Sequence, residues 1–206
     1  MAIYYDTETT GLKPGQICQL TYVVEDNKEK KIIKAFNQFF RVDSMTRGAE
    51  SVHKFSLEKL KELSGGVRFG DLASLIYSDF KGQETVAHNA SFDSRFLRAE
   101  LERAGYGLDV KREYCTMKLF KDVLKIPSNQ KASAYGAYKN PSLGELVKGM
   151  KIDENRVIQY SKALFASNDI TFHDSRFDTI AMYVAFQVYR DKLNNTDKWR
   201  SIFCKE

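Results

Sequence analysis

The chain opens with an apolar run, Ala2-Ile3-Tyr4-Tyr5, and passes at once into Asp6-Thr7-Glu8-Thr9-Thr10-Gly11. A β-strand sends alternate side chains to one face. Asp6 and Glu8 stand two residues apart, so both carboxylates project from the same side at the end of a strand. Like charges side by side repel, and one of the pair would ordinarily hold a proton. A divalent cation between them keeps both ionised. Thr9-Thr10-Gly11 then turns the chain tightly and brings backbone N–H groups to the same spot. The segment reads as a site for a hard cation with room for a phosphate beside it.

With 206 residues, 43% of them hydrophobic and 29% charged, the chain is long enough for one domain with a full core. We expect a single domain over residues 1–206. No stretch approaches the ~18 uncharged apolar residues of a membrane span. The N-terminus enters a strand at once, which leaves no place for a signal peptide. Cys18, Cys115 and Cys204 are odd in number and form no C-x-x-C. They fit a reducing cytosol, hence a cytoplasmic protein, and argue against a disulfide framework or a zinc site. The net charge of +5 is uneven. Residues 111–151 carry nine Lys or Arg against three acids, a net +6, which leaves the remainder at −1. A positive lobe beside a carboxylate-rich centre suits a polyanion that must reach a metal; a solvated lysine-rich surface would look the same.

Residues 17–24 and 32–42 are rich in β-branched and aromatic side chains and flank a polar turn, so with the first strand they form an antiparallel meander. Helical spacing follows at Leu57, Leu60 and Leu63 after a Ser56 cap, and again at Leu72, Leu75, Ile76 and Phe80. Thr85–His88 is a brief strand. Phe92, Phe96, Leu97 and Leu101 stripe a helix that ends at Gly105. Tyr114–Thr116 is a short strand leading into a helix through Leu124. Residues 126–141 lack periodicity and form a basic loop with Tyr135 and Tyr138. Ser142-Leu143-Gly144-Glu145 is a capping box. Further helices cover about 154–165 and 174–193.

Two more segments place polar residues where a helix begins. In His88-Asn89-Ala90-Ser91-Phe92-Asp93, Asp93 falls in the first helical turn, favoured there by the helix dipole. It could equally be a cap, and Asn89 an ordinary turn residue. In His173-Asp174-Ser175-Arg176-Phe177-Asp178, His173 precedes the helix and Asp178 lies a turn and a half inside it. Asp174 or Ser175 could be only a cap.

Together the three segments resemble the DEDD exonucleases, in particular the DnaQ-like group with a histidine in its last motif, which includes the proofreading subunits of bacterial replicative polymerases and RNase T. The motifs are D-x-E at Asp6 and Glu8, H-N-x-x-F-D at His88–Asp93, and H-x-x-x-x-D at His173–Asp178. The tyrosine variant of the last motif is absent, because Asp174 stands four before Asp178. Val52-His53-Lys54-Phe55-Ser56 is similar to the family's V-H-G-I-T, with Lys54 in place of glycine.

The resemblance implies an α/β, ribonuclease H-like fold with a central mixed five-stranded sheet flanked by helices. It implies release of nucleoside 5′-monophosphates from a 3′ end, with two Mg²⁺ or Mn²⁺ ions. Asp6, Glu8 and Asp178 would hold the first ion, Asp6 would bridge to the second, and Asp93 would act there directly or through water. His173 would be the general base, its ordinary pKa near 6.5 suiting neutral pH. Thr9, Thr10 and Leu12 would lie beside the terminal nucleotide, with His53, His88, Asn89 and Phe92 near it; Leu12 could equally be core. The basic loop could carry the upstream strand by stacking and phosphate contact. DNA is the expected substrate, and RNA end trimming uses the same residues. A binding module that has lost activity would lack a carboxylate or the histidine, and none is missing. A polymerase partner would call for an exposed apolar docking motif, for which Trp199–Cys204 is a candidate, although that segment could equally pack back on the domain.

Overall fold

The computed structural model describes residues 1–128, 138–171 and 174–205. Among these, five strands form one mixed sheet: β1 (Ala2–Thr9), β2 (Ile17–Asp26), β3 (Lys31–Phe39), β4 (Glu84–Ala87) and β5 (Arg112–Cys115), in the order β3-β2-β1-β4-β5. The first three make the expected antiparallel meander, while β4 and β5 add in parallel on the other side of β1. Asp26 makes the β2–β3 turn by accepting the Lys28 and Glu29 N–H groups at 2.8 and 2.9 Å, an Asx-type turn.

The helices are α1 (Arg47–His53), α2 (Leu57–Ser64), α3 (Phe69–Phe80), α4 (Ala90–Arg103), α5 (Thr116–Leu124), α6 (Leu143–Gly149), α7 (Glu154–Phe165), α8 (Ser175–Asn194) and α9 (Lys198–Phe203). The pleat of β1 sorts them into two layers. Ile3 and Tyr5 face the α3–α4 side, where Tyr5 meets Phe80 edge-on at 5.4 Å. Ala2 and Tyr4 face the α8 side, where Tyr4 meets Tyr183 edge-on at 4.8 Å. Asp6 and Glu8 continue the even-numbered series, so the fold delivers them to the α8 face.

The structure sharpens the sequence reading at several elements. β1 runs through Thr9, with Asp6 to Glu8 paired with Thr21 to Gln19, so the two acids share a face at the strand's end as expected. β3 ends at Phe39, and beyond it Arg41 donates its N–H to Val67 rather than to a strand. Helix α1 has no apolar stripe, and its exposed Val52 gave no periodic signal; it is set by Thr46, whose hydroxyl caps the Ala49 N–H at 3.2 Å. The C-terminal segment is helix α9, not an exposed tail. Phe203 is buried, Trp199 packs edge-on against Tyr183 at 5.3 Å, and the Asp191 carboxylate accepts the Trp199 and Arg200 N–H groups at 2.5 and 3.1 Å. The aperiodic loop is bridged at its base, where Pro127 pairs with Tyr138 and the Lys139 N–H meets the Ile126 carbonyl at 2.9 Å. Tyr135 and Lys131 lie outside the described residues.

Lys54, the departure from the V-H-G-I-T pattern, terminates α1 in the left-handed region at φ 65°. A glycine fits there without the Cβ penalty. Lys54→Gly should stabilise the protein by about 0.5–1 kcal/mol. The midpoint of a thermal melt should rise by roughly 1–4 °C; a lower midpoint would contradict this account of the cap.

Candidate active site

β1 presents Asp6 and Glu8 toward α8, and the first turns of α8 bring Asp178 to meet them. One oxygen from each of these three carboxylates lies within 4.8 Å of the other two. The start of α8 is fixed by its cap: Asp174 accepts the Arg176 N–H at 2.9 Å, and the Asp178 N–H bonds to the Asp174 carbonyl at 3.0 Å. Asp174 is thus a capping residue, and it also binds the buried Arg176 guanidinium at 2.6 Å.

Asp93 reaches the same strand end from the α4 side. β4 pairs with β1 only as far as Tyr4, and farther along β1 the Asp93 carboxylate meets the Thr7 N–H at 3.2 Å and the Thr7 hydroxyl at 2.8 Å. Both bonds fall on Oδ1. Asp93 is 3% exposed and lies beside the three-carboxylate cluster rather than within it.

No Lys or Arg among the described residues forms an ion pair with any of the four acids. Burial pushes Asp6 and Glu8 well above the ordinary carboxylate range, and neighbouring negative charges, Asp93 foremost at Asp6 and Asp178 at Glu8, push them further. Burial likewise raises Asp178 to about 7, with Asp174 and Asp93 adding to the rise. Asp93 is raised to about 7 by burial, against which its bonds from Thr7 work. Uncompensated carboxylates supplying only oxygen donors fit a hard divalent cation, Mg²⁺ or Mn²⁺, better than a thiolate- or imidazole-seeking metal.

A cavity of about 860 Å³ opens beside Glu8, lined by Thr9, Thr10, Leu12, His53 and Phe92 among others. The Thr9 hydroxyl donates to the Gly11 carbonyl at 3.0 Å, and the Thr10 hydroxyl accepts the Gln16 N–H at 3.0 Å. These bonds fold residues 9–16 back on themselves and leave Leu12 at the surface. Leu12 is 84% exposed, which rules out the core alternative. Asn89 starts α4, its carbonyl accepting the Phe92 N–H at 2.7 Å. His53 is buried; its Nδ1 accepts the Phe55 N–H at 3.1 Å, so its proton sits on Nε2. Burial lowers its pKa.

His88 is not gathered with these residues. Its Nε2 faces the Pro141 carbonyl at 3.1 Å and its Nδ1 the Thr116 hydroxyl at 3.1 Å. It ties the strand β4 end to the segment before α6. His173 lies outside the described residues. A further cavity, of about 490 Å³, borders the cluster at Asp178 and is lined by Phe177, Leu143 and Ser142 among others. Sequence reading missed Thr7, Met45 and Thr46, of which Thr7 had a signal, since it sits inside the D-x-E segment. The other two line the large cavity from the β3–α1 connection, which carries no motif.

A family model for the RNase T exonucleases matches residues 3–157 of the chain. The chain belongs to the RNase T exonuclease family. Family membership makes it a nuclease by class and agrees with the DEDD motifs. The chain is also similar to DNA polymerase III PolC-type of Mycoplasmopsis pulmonis (strain UAB CTIP), 33% identical over 100 residues. That match takes in 47% of this chain but only 7% of the polymerase. Among solved structures, exonuclease X in complex with 5′ overhanging duplex DNA superimposes with a TM-score of 0.63 at 20% identity, over 95% of this chain and 93% of that one. E. coli exonuclease I in complex with a dA16 oligonucleotide does so with a TM-score of 0.66 at 17% identity, over 92% of this chain and 40% of that one. At these identities the likeness establishes the shared fold, the ribonuclease H-like mixed sheet expected from the motifs.

No helix among the described residues is long and apolar enough to cross a membrane.

Because the cluster carboxyls titrate higher in the folded protein than unfolded, the folded state holds more protons between the two ranges. Stability is favoured below the ordinary carboxylate range and is lost as pH rises toward about 7, the value reached by Asp93 and Asp178. The metal-free protein should melt lower at pH 8 than at pH 5. Asp6→Asn should recover part of that loss at pH 8 and less at pH 5, on the order of 2–4 °C per kcal/mol relieved. An equal shift at both pH values would contradict the buried-charge account.

Proposed function

We propose that residues 1–206 form a single exonuclease domain that removes nucleoside 5′-monophosphates from the 3′ end of DNA at single-stranded or frayed ends. The observation that carries this reading is the cluster of Asp6, Glu8 and Asp178 within 4.8 Å, opening onto the cavity of Thr9, Thr10 and Leu12. Asp6, Glu8 and Asp178 would hold one divalent ion, and Asp6 with Asp93 a second. Bound there, two such ions lower the pKa of an attacking water and stabilise both the attacking and leaving oxygens of phosphodiester hydrolysis.

The chain's own residues do the rest. Exposed Leu12 wedges against the terminal base, and Phe92 supports it from α4. The backbone of Thr9 and Thr10 faces the terminal sugar, so that a 3′ end fits and an internal nucleotide does not. His173, on the approach to α8, takes the proton from the attacking water. The carboxylate of Asp93 stays anchored on Thr7, and this limits how far it can move when the cluster is neutralised. DNA is favoured over RNA by the similarity to a DNA polymerase and to exonucleases solved with DNA. A proofreading link to a polymerase rests on that similarity alone.

End-labelled single-stranded DNA, mismatched duplex and RNA digested side by side with Mg²⁺ should show DNA shortened from its 3′ end, with mononucleotides as the first product. Products released from the 5′ end, or faster RNA trimming, would overturn the assignment. His173→Ala should lose about 10²–10⁴-fold in turnover with DNA affinity little changed; unaltered turnover at pH 7 would remove His173 from the reaction.

A further inference from the structure

Beneath the carboxylate cluster runs a buried polar seam between β2, β3 and the start of α8. In the β1–β2 register Asp6 stands opposite Thr21 and Glu8 opposite Gln19. Directly opposed residues share a face of the sheet. The cross-strand partners of two cluster carboxylates are thus the two β2 residues turned toward α8, and both are fully buried. Each holds a different residue of the helix start. The Thr21 hydroxyl lies 2.6 Å from the Ser175 hydroxyl, and the Gln19 amide N–H₂ donates to Asp174 Oδ1 at 3.3 Å.

The two halves meet at Asn37 on β3, whose Oδ1 accepts from Thr21 at 2.9 Å and from Gln19 at 2.8 Å. The proton positions follow. Thr21 spends its proton on Asn37, so Ser175 must donate to Thr21. Gln19 places its nitrogen on two oxygen acceptors, so its Oε1 lies on the other side. That oxygen is buried and has no hydrogen-bond partner among the described residues. A buried amide oxygen left without a donor costs stability, so the seam is not explained by folding alone. Asp178 follows Asp174 by one helical turn, and its separation from Asp6 and Glu8 depends on where the seam sets the helix.

We propose that Gln19 and Thr21 are positioning residues for the cation site. They act as a ruler between β1 and α8 that sets the spacing of Asp6, Glu8 and Asp178, and Gln19 Oε1 is left to accept from water bound at that site. The inference rests on the reading of these three carboxylates as cation ligands. Groups that orient metal ligands typically change affinity or activity by about 10–100-fold when removed.

Thr21→Val and Gln19→Met keep the side-chain volume close and remove the seam's bonds; Asn37→Ala, at a half-buried edge-strand position, interrupts the same seam should Gln19→Met fail to fold. Mn²⁺ affinity of the metal-free proteins is read by electron paramagnetic resonance, together with thermal melts and steady-state kinetics on an oligonucleotide. We expect Mn²⁺ binding weakened about 10–100-fold and turnover lowered alongside, with KM for the oligonucleotide unchanged. Folded variants that bind Mn²⁺ as wild type does, with only a lower melting midpoint, would overturn the positioning role and leave the cation reading standing. A wild-type protein that binds no Mn²⁺ would overturn the cation reading and the ruler with it.

Discussion

Like charges crowded out of water at the end of β1 are the constraint on which the structure turns. Asp6, Glu8, Asp93 and Asp178 come from three separate elements; burial raises the proton affinity of each, and neighbouring negative charges raise it further at Asp6, Glu8 and Asp178. Removing even one charge from water without a partner is costly. Here no basic side chain among the described residues answers them, although the chain carries 32 Lys and Arg. Basic residues are used elsewhere against buried acids, as with Arg190 and Glu25 at 2.7 Å and Arg176 and Asp174 at 2.6 Å. Their exclusion from the cluster leaves room for a cation that is bound rather than built in.

The surrounding fold can be understood as the framework that holds the acids despite their repulsion. The hydrophobic layers on either side of β1 anchor its first half, with Tyr4 and Tyr5 each buried against aromatic partners. β4 stops short, which opens the flank of β1 where Asp93 enters and is fastened to Thr7. On the opposite face the polar seam fastens α8. The irregularity between Glu8 and Thr9 in the β1–β2 ladder turns the chain from the cluster toward the cavity. A β-bulge at such a place re-aims side chains beside a site.

Much of this was legible before the fold was known, and the reasons are physical. The period-two placement of Asp6 and Glu8 put both acids on one face, and the helix starts at Asn89 and Asp174 marked where the other two acids would enter. The meander and the Ser56 and Ser142 caps follow local rules of spacing and capping. What stayed hidden depends on tertiary contact. Helix α1 has a cap but no apolar face, so periodicity passes over it. Whether Leu12 was core or surface turned on the Thr9 and Thr10 bonds that fold its loop. His88 reads as a site residue in the motif, yet both its ring nitrogens are taken by Thr116 and Pro141. Gln19 and Thr21 carry no motif, and only the strand register reveals that they face the acids across β2.

The claim that the acids at the end of β1 are a cation site is tested most directly by crystals soaked in Mn²⁺, with anomalous scattering used to locate the ion. The account predicts a Mn²⁺ peak between Asp6, Glu8 and Asp178, lost in Asp178→Asn. Ordered carboxylates with no anomalous peak among them at millimolar Mn²⁺, or a peak that survives in Asp178→Asn, would contradict it.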